Sequence, residues 1–339
     1  MSTQLEQNTS PVAPKAVPRE GPRDVFTRYW GRYSAIAILV LIVVLFGALE
    51  PSFLTGGNPP RIVEQSSVTI LLAFGQFFAI LLGGIDLSVG SVMAFTSIVM
   101  AKLMVDGMSW PLAVIVGGLV VGGLVGALNG ALITITKLHP FIITLGTMAI
   151  FRGLTYVMSD ATAVSGLPPE FSRTIGGDLF GIVPTPILLV VVVLVILVFF
   201  TVKTKPGRNL YAMGGNPQAA WFAGINSSRH TLLAFTISGL CAGLAGTVNV
   251  ARLGAAEPNA GTGYELFAIA AVIIAGTSFF GGEGLIWKVL IGGLIIGTIN
   301  NGLNMVGVSS YYQQIAMGSL IVIAVTLDRY FGPRAALRR

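Results

Sequence analysis

The 339-residue sequence is 54% hydrophobic and only 10% charged, where an ordinary soluble domain carries about a quarter charged residues. Uncharged runs long enough to cross a bilayer, at about 20 apolar residues each, recur along the chain and exclude a soluble globular protein. Their continuous apolarity also excludes a transmembrane β-barrel, whose strands alternate. What remains is an all-α polytopic membrane protein. The net charge of +6 does not indicate nucleic acid, because the basic residues gather in the tails and one loop, as membrane topology requires.

Residues 1–32 are rich in Pro, Ser, Gln and charge and read as a disordered basic tail on the cytoplasmic side. A cleaved signal peptide is disfavoured by the length of this tail and by the further spans that follow. Apolar runs then predict spans at about 33–49, 62–82, 87–105, 111–136, 140–158, 186–202, 231–251, 266–280, 286–306 and 311–327. Residues 33–328 form one transmembrane domain, and 329–339 form a second basic cytoplasmic tail. The segment 203–230 carries Lys203, Lys205, Arg208 and Arg229 and no acidic residue, so the positive-inside rule makes it cytoplasmic. The segment 159–185 is weakly acidic and falls outside.

About ten crossings satisfy the charge bias, with both termini inside. Eight crossings with a re-entrant pair near Asp86 satisfy it too. An internal echo favours a repeat: Gly126-Ala127-Leu128-Asn129-Gly130 resembles Gly297-Thr298-Ile299-Asn300-Asn301, and Gly83-Gly84 resembles Gly281-Gly282. A unit of four helices displaced by five spans would be inverted, as in many transporters.

Asp86 is a lone charge between long apolar runs, flanked by Gly83, Gly84, Ser88 and Gly90. It is read as a helix break that caps the following helix or forms a gate, near the cytoplasmic mouth. In the cytoplasmic loop, Asn216-Pro217 starts a short helix with Asn216 as its cap. The Trp221-Phe222 pair there fits either a partner's groove or the bilayer interface. Neutral amides inside the apolar runs, Gln76, Asn129, Asn300 and Asn304, are candidates to line a path for an uncharged polyhydroxylated solute. Arg152, Arg252 and Lys288 are read as anchors snorkelling from span ends. Cys241 is read as a buried packing residue. The sequence has no phosphate-binding loop motif and no Cys/His/Asp cluster with metal spacing.

Three stretches resemble the permease subunits of monosaccharide ABC importers, the ribose, xylose and arabinose group: Gly83–Ser91, Gly207–Asn226 and Gly276–Gly284. The likeness covers roughly residues 33–330. It implies a vitamin-B12-importer-like fold and an inner-membrane homodimer, paired with a cytoplasmic ATPase and fed by a periplasmic sugar-binding protein. It assigns the ATPase-coupling loop to Arg208, Gly214, Gly215, Asn216, Pro217, Ala220, Trp221, Gly224 and Ile225. It further implies no catalytic residue and no cofactor on this chain, ATP and Mg being used by the partner. A secondary transporter or channel for a small polar solute is the competing class, and uptake without ATP or a second subunit would mark it.

Overall fold

A computed structural model describes residues 22–331 apart from 180 and 182. The tail expected at 1–32 lies mostly outside the described residues, as does most of the C-terminal tail. The first helix, α1 (Pro22–Leu49), begins earlier than expected. Pro22 accounts for this start, since its fixed φ and missing N–H suit the first helical turn.

The chain continues through a short 3₁₀ turn into α2 (Asn58–Leu81) and α3 (Val89–Val105). Next, α4 (Trp110–Ala113), a π-helical stretch (Val114–Val120) and α5 (Val121–Thr136) run on as one rod. Then come α6 (Pro140–Ser159), the short α7 (Pro169–Ile175) and a two-stranded antiparallel hairpin, β1 (Asp178–Leu179) with β2 (Val183–Pro184). The long α8 (Thr185–Lys203) leads to the paired short helices α9 (Lys205–Gly215) and α10 (Pro217–Phe222). The C-terminal part holds α11 (Ser227–Leu253), α12 (Tyr264–Ile274), α13 (Ile286–Met305) and α14 (Ser310–Phe331). Among the described residues, six helices are long and apolar enough to cross a membrane.

α12 is shorter than the predicted span at 266–280. At 1.5 Å per residue it reaches only about 16 Å, half of a hydrocarbon core. It stops because Gly276 turns left-handed (φ 83°) directly after the cap at Ala275. Phe279 and Phe280 then continue the apolar pattern without continuing the helix.

α2 and α11 form the centre. Of the residues from Ser66 to Leu81, every one is buried. Without a hydrophobic drive between helices in lipid, packing depends on close approach of small residues. α5 meets α11 in this way: a methyl on Gly239 would lie 2.1 Å from the Gly122 carbonyl oxygen, and one on Gly243 would lie 2.0 Å from that of Gly118. Cys241 is buried beside Gly75 of α2, in its expected packing role.

The neighbour pattern recurs in the two halves of the chain. α11 packs on α5 and α3, as α2 packs on α13 and α12, and α3 lies against α6 as α12 lies against α14. The echo of Gly126 and Gly297 fits this pattern, since the first rests on Phe235 of α11 and the second on Ser66 of α2. The Gly83 and Gly281 pair does not fit it. These glycines are not equivalent positions but touch each other, a methyl on Gly281 falling 2.7 Å from the Gly83 nitrogen. In position before α12, the counterpart of the Asp86 loop is the loop 254–263. The two loops meet reciprocally: a methyl on Gly90 would lie 2.2 Å from the Gly261 oxygen, and one on Gly261 would lie 2.4 Å from the Gly90 oxygen.

Candidate functional site

The three stretches singled out in the sequence do converge, at the end of the bundle where α2 stops. Gly83, left-handed at φ 75°, ends the helix, and its N–H donates to the Ile80 carbonyl at 2.8 Å. The Leu81 carbonyl accepts from Gly282 N–H at 2.8 Å, joining the 275–285 loop to α2. α9 then rests on both. A methyl on Gly214 would sit 1.8 Å from the Leu81 oxygen and 2.5 Å from the Gly282 nitrogen, whereas Gly215 has open space. Tyr211 donates its hydroxyl to the Gly284 carbonyl at 3.1 Å. Burial pushes the Tyr211 phenol up to about 12, so it remains a donor at neutral pH.

Beyond this junction α10 stands out from the body. Asn216 caps it as expected, accepting from Ala219 N–H at 3.0 Å, with Pro217 in the first turn. Ala220 is buried on the inner side, while Trp221 is 67% and Phe222 80% exposed. Their rings form an edge-to-face pair 5.0 Å apart. Gly224, left-handed at φ 77°, turns the chain towards Ile225 and α11. Arg208 reaches back to the Val202 carbonyl at 3.4 Å. The helix α9 itself has no counterpart in the sequence reading. Its signal was the capping Thr204, which accepts from Gly207 N–H at 3.1 Å, followed by inward-facing Leu210 and Met213.

Asp86 is only 2% exposed, inside the bundle. Gln76, with its amide oriented to suit its neighbours, donates to the Asp86 carbonyl at 2.8 Å and accepts from Asp86 N–H at 3.2 Å. Gln76 lies five residues before the end of α2, so the loop folds back about 7.5 Å alongside the helix. One carboxyl oxygen of Asp86 accepts from Ser88 N–H (3.0 Å) and the Ser88 hydroxyl (2.6 Å), and the other accepts from Ser238 of α11 (2.7 Å). Asn129 donates to the Ser88 oxygen at 2.8 Å, and Thr144 of α6 donates to the Ile85 carbonyl at 3.1 Å. Gly84 lies against Pro140, and Gly90 against Gly261 and Glu265. Asp86 therefore shapes the turn ahead of α3 while tying α2, α5 and α11 together. Gln76 and Asn129, expected along a path, are fully buried in this knot.

Asn300 and Asn304 line a separate cavity of about 400 Å³, reached by α2, α11, α12, α13 and α14. Asn249, Arg252, Tyr264 and Gln313 also face it, and sequence reading had not placed these four together there. Gln313 donates to the Asn304 side-chain oxygen at 2.7 Å. The snorkelling expected of two arginines is overturned. Arg252 pairs with Glu64 at 2.7 Å, and Arg152 donates to the carbonyls of Pro258 and Ala260 at 2.8 and 2.9 Å. Both hold internal loops or partners because an ion in the bundle is stabilised better by a fixed acceptor than by a distant interface. Among the described residues, no group of His, Cys, Asp and Glu could hold a metal ion.

An all-α polytopic body, a polar internal cavity and an exposed aromatic helix at one end define a membrane transport component. The chain belongs to the family described as the branched-chain amino acid transport system / permease component, whose model matches residues 58–325. It is 54% identical over 305 residues to the D-allose transport system permease protein of Escherichia coli K12, covering 90% of this chain and 93% of that one. It is 45% identical over 300 residues to the ribose import permease protein of Bacillus subtilis 168, covering 88% and 92%. It is 33% identical over 327 residues to the L-arabinose ABC transporter permease protein of Azospirillum brasilense, covering 96% and 95%. No solved structure matches the chain.

Proposed function

We propose that this chain is the permease subunit of an ATP-driven importer that carries a monosaccharide across a bacterial inner membrane. Two copies form the conduit, a cytoplasmic ATPase drives it, and a periplasmic binding protein delivers the sugar. ATP and Mg are used by the ATPase, and this chain holds no cofactor. The body makes ten crossings in an inverted repeat of the vitamin-B12-importer type, with both termini cytoplasmic. The contact pattern that recurs in the two halves of the chain supports the repeat.

The observation that carries the coupling role is α10. It exposes Trp221 and Phe222 while its base is fixed, backbone to backbone, on the end of α2. An exposed aromatic pair on a rigid base suits a groove on a soluble partner. Closure of the ATPase dimer presses α10, and Gly214 passes that displacement to Leu81 and Gly282. The ends of α2 and of the 275–285 loop then move together.

D-allose is the first sugar to test and D-ribose the second, because relatives carrying those names are similar over about nine-tenths of the chain. The deciding experiment is uptake into proteoliposomes holding the permease with its ATPase and binding protein. ATP-dependent uptake supports the reading. Uptake by the permease alone, without ATP, would assign it to secondary transport instead.

A further inference from the structure

We propose that the cavity between α2, α11, α12, α13 and α14 is a binding site for one uncharged monosaccharide in transit, an inference that rests on the importer reading above. Its volume of about 400 Å³ falls within the range of small-molecule sites, about 300–1,000 Å³. Its walls match a sugar's chemistry. Asn249, Asn300 and Gln313 present amides, which both donate and accept as hydroxyl groups require. Tyr264 and Phe267, with ring centroids 5.6 Å apart, present apolar faces suited to the C–H surface of a pyranose.

The wall is also electrically neutral. Arg252 is the one charged residue among the described lining, and its Nε is bonded to the Glu64 carboxyl at 2.7 Å. A neutral ligand therefore meets no uncompensated charge, whereas an anion or cation would lose its hydration without a partner. Within the wall, Asn300 Oδ1 is buried and accepts no hydrogen bond from the protein. Asn129 Oδ1 in the Asp86 knot is likewise buried without a donor, so the atom does not by itself mark a ligand, and it is the amide's place in the cavity wall that would meet a sugar hydroxyl.

Comparison with the Asp86 knot gives independent support. Gly122 rests on Gly239 as Gly293 rests on Ile70, so the preceding residues, Ser238 and Thr69, occupy paired positions. Asn129 and Asn300 are paired in the same way by the sequence echo. In the first copy Ser238 donates to Asp86 and Asn129 donates to Ser88, while Asn129 Oδ1 stays without a partner. In the second copy Thr69 and Asn300 border open space. One half of the repeat thus closes its polar pocket with a carboxyl group, and the other leaves an equivalent pocket for a ligand.

The test uses the full permease with its ATPase and binding protein in proteoliposomes, with D-allose and D-ribose as probes. Asn300→Leu is expected to lower ATP-driven uptake by about tenfold or more, the factor given by losing one or two hydrogen bonds. ATP hydrolysis stimulated by the binding protein should stay within about twofold of wild type, because the docking face is untouched. Uptake within about twofold of wild type would overturn the site. A second variant works on the folded protein: Leu253→Cys places a thiol at the cavity edge, where Leu253 is 58% exposed, while the native Cys241 is 3% exposed. Modification with a bulky thiol reagent should block uptake, and saturating sugar should slow the modification; unchanged uptake after complete modification overturns the proposal. Absence of ATP-driven uptake in the wild-type assembly would instead defeat the importer reading itself.

Discussion

At Asp86 a carboxyl group is surrounded by donors drawn from two different segments. Ser88 supplies two and Ser238 one, and neither serine is more than 1% exposed. Removing the carboxyl group would leave buried hydroxyl and amide donors unpaired, at about 1–3 kcal/mol each. Asp86→Ala, which orphans three donors, is therefore expected to destabilise the protein more than Ser238→Ala, which leaves one carboxyl oxygen short of a donor at about 1–3 kcal/mol. Thermal unfolding of the purified chain in detergent would show this order; equal midpoints for the two variants would refute it. The sequence made Asp86 conspicuous because a lone charge in apolar surroundings demands partners. It could not show which partners, since Ser238 lies 152 residues away and serines are common in membrane helices. Arg152 and Arg252 were misjudged for the same reason. Their acceptors are loop carbonyls and a distant glutamate, which no local pattern reveals.

Among the elements, α9 and α10 divide support from contact. A methyl on Gly214 would strike Leu81 and Gly282, whereas one on Gly215, whose backbone also lies against Gly282, would meet nothing within 4 Å. Gly214→Ala should therefore spread the junction and lower both ATPase co-purification and uptake, while Gly215→Ala should leave both near wild type. The reverse order would break the assignment. Trp221→Asp acts differently, because an exposed side chain contributes little to folding, within about 0.5 kcal/mol. It is expected to abolish co-purification of the ATPase without changing the elution of the permease alone; an intact complex would remove α10 from the interface. Nearly all helix positions were legible from apolar runs, down to the Pro140 start of α6 and the Asn216 cap of α10. The elements within 159–185, α7 and the β1–β2 hairpin, were not, nor were two others. α9 was hidden by Pro206 and its glycines, and the end of α12 was hidden by Phe279 and Phe280, apolar residues that lie in a turn.

For the molecule as a whole, the recurring contacts make a quantitative demand. Gly126 and Gly297 hold equivalent places, each pressed on the neighbouring central helix, α11 or α2. Gly126→Val and Gly297→Val should therefore destabilise to a similar degree, by about 1–3 kcal/mol or more as overpacking forces the helices apart. Heat inactivation in detergent measures both, and strong loss in only one would argue against equivalent packing. The recurring contacts were only half visible in sequence. Gly126 and Gly297 kept similar surroundings, whereas the loops before α3 and α12 diverged completely, one gaining Asp86 and the other the Arg152-held segment 254–263.

Those two loops nonetheless meet at Gly90 and Gly261, each backbone resting on the other. A contact of this kind is an interlock. With no side chain between them, neither loop can move towards the other without displacing it. A side chain larger than hydrogen at either glycine would have to part the two loops.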